Sequence, residues 1–85
     1  MAITSNKVTV TTTAQTIVNV DDVTQNVYLH SKGATSVGGA GVTSTSGYLV
    51  DNGDKLTLTV PVGSVLQAVT NAATHDLYVL ITRVD

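Results

Sequence analysis

The chain has 85 residues, a net charge of −2 from four basic and six acidic side chains, and no Cys, Glu, Phe or Trp. That length sets a single domain, 1–85, near the lower end of what folds alone, and the missing cysteines remove disulfides as its support. Lys7, Lys32, Lys55 and Arg83 are scattered, which leaves no basic stripe for nucleic acid or an anionic membrane surface, and no apolar run approaches the ~20 residues of a spanning helix.

Fifteen Val and fifteen Thr dominate the composition. Branching at Cβ stiffens both side chains and suits them to a pleated sheet, so the chain is expected to be all-β. A domain this small has little margin over its conformational entropy and usually needs a staple. With neither disulfides nor zinc-type spacing of ligands, oligomerisation is the staple that remains. Residues 1–7 lack the charged start and apolar middle of a signal peptide, so synthesis in a cytoplasm without export by the usual route is expected.

Taken in chain order, residues 1–6 are expected to form an N-terminal arm that is flexible or lies on a partner. Residues 7–13 alternate, Val8 and Val10 against Thr9 and Thr11, as a half-buried strand does. Strands follow at 16–20, 23–31, with Val27 and Leu29 opposed to Tyr28 and His30, and 35–37. The segment 38–47 contains only small residues and Val42. A short strand at 48–50 runs into Asp51-Asn52-Gly53-Asp54, which is expected to make a type I′ hairpin turn to the strand at 55–60. Pro61-Val62-Gly63-Ser64 turns the chain into 65–70, a polar loop covers 71–76, and the last strand is 77–84. Six to eight short strands at this spacing predict a small antiparallel β-sandwich or jelly-roll-like barrel, with no helix.

The last strand is apolar on both faces, Leu77, Val79 and Ile81 on one and Tyr78, Leu80 and Val84 on the other. A small domain meets its own core with only one face. Tyr78, Leu80 and Val84 are therefore the expected assembly surface, with Gly38, Gly39, Gly41 and Val42 of the small-residue loop as a second contact.

Candidate chemistry is sparse. His75-Asp76 is the lone adjacent His and carboxylate, and no Gly-x-Ser-x-Gly elbow accompanies it; His75 is expected in the solvated loop. His30 and His75 do not form a tight ligand cluster. The Asp51 to Asp54 region lacks the closing Glu of a calcium loop, and Gly38-Gly39-Ala40-Gly41 lacks the Lys-Ser/Thr that follows a phosphate cradle. No catalytic, cofactor-binding or metal residue is assigned. Tyr28, Tyr48 and Tyr78, the only aromatics, leave sugar stacking open as an alternative.

Taken in order, Val27-Tyr28-Leu29-His30, Lys32-Gly33, Val37-Gly38-Gly39, Gly41-Val42-Thr43, Gly47-Tyr48, Asp51-Asn52-Gly53-Asp54, Leu56-Thr57-Leu58, Pro61-Val62-Gly63, Leu66-Gln67-Ala68-Val69 and Leu77-Tyr78-Val79-Leu80 make a pattern. It resembles small virion structural proteins of tailed double-stranded DNA bacteriophages, in particular head decoration proteins, over residues 5–84. The resemblance implies a non-enzymatic β-protein made in the bacterial host cytoplasm and placed on the capsid surface. It also implies a homotrimer as the oligomer and the major capsid protein as the partner, with no direct nucleic acid, no membrane and no cofactor. The alternative is a carbohydrate-binding or host-adhesion module displayed on the virion.

Overall fold

A computed structural model describes residues 3–84. Eight strands follow one another: β1 (Ile3–Val10), β2 (Gln15–Val18), β3 (Thr24–Ser31), β4 (Thr35–Gly38), β5 (Tyr48–Val50), β6 (Lys55–Val60), β7 (Leu66–Val69) and β8 (His75–Val84). They form two four-stranded antiparallel sheets, ordered β1-β8-β3-β6 and β2-β7-β4-β5. This is the jelly-roll order, in which every connection but one crosses from one sheet to the other. Only β4 and β5 are consecutive strands of the same sheet.

Alternation places the core between the sheets. Val27, Leu29, Leu77, Val79 and Ile81 of the first sheet face Val37, Val50, Leu66 and Ala68 of the second, all buried. In β2 the pairing with β7 slips between Thr16 and Val18, and this bulge lets the consecutive Ile17 and Val18 both be buried. Polar groups inside are satisfied locally: the buried Ser31 and Thr35 hydroxyls both donate to the carbonyl of Gly33. That satisfaction matters because an unpaired buried hydroxyl is costly.

Three expectations need correction. Residues 3–6, expected in an arm, belong to β1, where Ile3 pairs with Thr82 and Ser5 with Leu80; residues 1 and 2 of that arm lie outside the described residues. His75 and Asp76 are not in the loop but open β8, because His75 pairs with Val10 and Asp76 with Thr9. The turn 51–54 is not a hairpin, since β5 pairs with β4 and β6 with β3. Its geometry explains why. Positive φ is confined to Gly53 (83°), with Asp54 N donating to Asp51 O at 3.0 Å, which is the requirement of a type II turn and not of type I′. Type II does not match the twist of a two-residue hairpin, and here the chain leaves one sheet for the other. The same pattern recurs at Gly41 and Gly63, where Val42 N reaches Gly39 O and Ser64 N reaches Pro61 O.

Candidate functional site

Residues directly opposite one another in an antiparallel pair share a face. On the outer side of the first sheet, Leu80 of β8 therefore stands between Ser5 of β1 and Tyr28 of β3, and Tyr78 between Lys7 and His30. Beyond β3, Tyr28 meets Thr57 and His30 meets Lys55 of β6. The rings of His30 and Tyr78 pack edge to face, centroids 6.3 Å apart at 82°. These side chains line a shallow open groove of about 580 Å³. Tyr28, Tyr78 and Leu80 remain 44, 43 and 40% exposed there, and Val84 is 40% exposed at the end of the same strand. Among the described residues, no element lies over them.

The charge of this groove is one-sided. Lys7 and Lys55 stand on the two edge strands, and no carboxylate is among the lining residues. Among the described residues, neither lysine takes part in an ion pair.

The outer side of the second sheet is different. Loop 39–47 folds back over it and seats Val42, 8% exposed, against the sheet. A Cβ at Gly38 would stand 2.9 Å from Val42 Cγ2, and one at Gly47 would stand 2.7 Å from the same atom and 2.8 Å from Ser36 Cβ. These small residues make the seat. The loop is fastened by Ser36 Oγ donating to Ser44 O at 3.2 Å and by Gly41 N donating to Gln67 Oε1 at 3.0 Å.

The expected assembly residues thus separate. Tyr78, Leu80 and Val84 lie on the bare face, with Gly39 and Gly41 exposed on the loop of the other sheet; Gly38 and Val42 are used within the subunit to close that loop. Tyr28 joins Tyr78 in the groove, whereas Tyr48 lies on β5 of the second sheet. Lys7, His30 and Lys55 were not singled out by sequence reasoning. The sharing of one face by Tyr28 and His30 was visible in the alternation of β3, but their meeting with β8 and β6 depends on strand order.

His75 and Asp76 do not make a dyad. As neighbours in a strand they point to opposite faces; Asp76 Oδ1 accepts from the Thr9 hydroxyl at 3.2 Å, and the His75 ring fills the space where a Gly33 side chain would be. Among the described residues no three His, Cys, Asp or Glu side chains gather as a metal site.

No family model and no curated protein matches the sequence. The structure is similar to a solved structure of Bacillus endospore appendages, described as a novel family of disulfide-linked pili, with a TM-score of 0.56 and 21% identity over 98% of this chain and 89% of that chain. At that identity the likeness is one of fold: the protein shares its β-sandwich with a pilus protein.

Proposed function

We propose that the protein is a non-enzymatic structural subunit of a multi-copy assembly and joins its neighbours through the outer face of β1-β8-β3-β6. The observation that carries this reading is the bare apolar surface of Tyr28, Tyr78, Leu80 and Val84, gathered on one outer face, in a molecule whose other outer face is partly covered by its own loop, with Leu49 left exposed there. Exposed apolar surface of this kind marks interaction sites. Two resemblances support it. The fold is that of a pilus protein, and the sequence pattern resembles phage head decoration proteins. Both describe small β-subunits repeated in a larger object.

In its finer form the assembly is a tailed-phage head, with the subunit a trimer on the capsid exterior and the major capsid protein its partner. The 85-residue sequence contains no cysteine, so the disulfide linkage of the neighbouring pili has no counterpart within it. Non-covalent contacts multiplied by symmetry would hold such a subunit in place.

Light scattering at several concentrations tests the reading. Wild type is expected to associate as concentration rises, and Leu80→Asp to stay monomeric because it replaces the apolar side chain between Ser5 and Tyr28 with a charge that must be desolvated in the contact. A wild type that remains monomeric throughout, or a Leu80→Asp variant that associates equally well, would overturn it.

A second reading has its own observation: two tyrosines and a histidine gather in one groove whose volume suits a small ligand. Glycan-array binding lost with Tyr28→Ala or Tyr78→Ala, but kept with Tyr48→Ala, would favour a carbohydrate-binding module. An empty array would count against it.

A further inference from the structure

We infer that the groove on the outer face of β1-β8-β3-β6 receives the Asp51-Asn52-Gly53-Asp54 turn of a second copy of this chain. The inference rests on the assembly reading above and names the surface that fills its contact.

The groove sets the charge of its occupant. Its charged side chains are Lys7 on one edge strand and Lys55 on the other, without an ion-pair partner among the described residues and without a carboxylate in the lining. Packing two grooves against each other would bring lysines from both copies into one interface, and like charges in a contact oppose association. The occupant therefore brings carboxylates.

The chain carries such a surface. Asp21 and Asp22 are drawn to Arg83, at 2.8 and 3.6 Å. Asp76 accepts from Thr9 and stands on the groove's own sheet face, and Asp85 lies outside the described residues. Asp51 and Asp54 remain, three residues apart on a fully exposed turn. Gly53 faces open space, with nothing within 4 Å of where its Cβ would be. It is also held in place before any contact forms: Gly53 N donates to Ser31 O at 2.8 Å and Ser31 N to Asp54 O at 3.1 Å. A pre-ordered tip loses little entropy on docking.

The turn borders the Lys55 end of the groove without lining it; where turn enters groove in one direction only, a chain of such contacts closes into a ring if its rotation closes and extends as a filament if it does not. Either outcome suits a repeated structural subunit. The contact weakens as salt rises, since its charges sit at the rim of an open groove.

Charge exchange tests the pairing. One variant carries Lys7→Glu and Lys55→Glu; a second carries Asp51→Lys and Asp54→Asn, the Asn keeping an acceptor for the 3.2 Å bond from Asp51 N to Asp54 Oδ2. All four positions are exposed, and circular dichroism verifies that both variants fold. Association of each variant alone, measured by sedimentation, is expected to be weaker than wild type by at least roughly tenfold in dissociation constant. Mixing the two is expected to restore it, because acidic grooves then meet basic turns. Variants that associate as wild type does, or a mixture that fails to recover, overturn the groove-to-turn contact while leaving the assembly reading standing. A wild type that does not associate at any concentration overturns both.

Discussion

The outer face of β2-β7-β4-β5 is partly covered by loop 39–47, which buries Ser36 and Val69 but leaves Leu49 exposed, whereas no such loop lies over that of β1-β8-β3-β6 among the described residues. Topology accounts for the difference. A loop can fold back over the outside of a sheet when it begins and ends in that sheet, and β4 to β5 is the one connection that does so. Every connection serving the first sheet crosses to the second and is spent spanning the edge of the sandwich. Side-chain size follows the same division. Ser36, Gly38 and Gly47 leave room for Val42 under the loop, while Tyr28, Tyr78 and Leu80 fill the open face with bulk that no loop among the described residues covers. A small sandwich of this order can cover part of one outer face with its own loop and is left to use the other.

Substitutions on the two faces should therefore act on different properties. Val42→Ala removes most of a buried side chain from the covered face and is expected to cost about 2 kcal/mol. In a domain of this size that lowers the thermal midpoint by roughly 10 °C. Gly47→Ala places a methyl group against Val42 Cγ2, Ser36 Cβ and the Val37 carbonyl at 2.7, 2.8 and 3.1 Å, for an expected loss of about 1–3 kcal/mol. Leu80→Asp, measured on dilute monomer, is expected to cost about 1 kcal/mol or less, because the side chain is already in contact with water. Differential scanning calorimetry ranks the three. If Leu80→Asp destabilised the monomer as much as Val42→Ala does, the open face would be contributing to the fold, and the contrast between the two faces would fail.

How much of this was legible in the sequence depends on the range of the interaction. Period-2 alternation located all eight strands to within a few residues, and the two apolar faces of β8 were readable from Leu77 to Val84 because that pattern is local. Strand partners were not. Asn52-Gly53 reads locally as a hairpin, yet the chain changes sheets there, and nothing near residue 53 announces that β6 pairs with β3. The groove escaped for the same reason: Lys7, His30, Lys55 and Tyr78 come from four strands that only the jelly-roll order brings together. Val42 was legible as the one Val, Leu or Ile of a small-residue loop, but whether it would turn outward or inward depended on Ser36 and Gly47 lying beneath it.

The smallest effect concerns how the open sheet is held at its end. Arg83, next to the terminal residue of β8, makes two hydrogen bonds to Asp21, Nε to Oδ2 at 2.8 Å and Nη2 to Oδ1 at 3.1 Å, and so ties the open sheet to the connection between β2 and β3. The Arg83 hydrogen bonds, followed by those from Asp22, hold the Asp21 carboxyl well below the usual carboxylate range, against an opposing contribution from partial burial. A carboxyl whose folded pKa is depressed stabilises the fold at pH values above its unfolded pKa of about 4. That contribution is lost as pH falls through the lower folded value. Thermal midpoints of wild type and Arg83→Ala, compared between neutral pH and pH 2, should therefore converge as pH drops below about 4, with the variant lower at neutral pH. A difference that stays constant with pH would mean that Arg83 acts through packing of its stem and not through Asp21. Because the clamp is outside the groove, Arg83→Ala should leave association of the folded protein unchanged, which separates what holds the open sheet in place from what covers it.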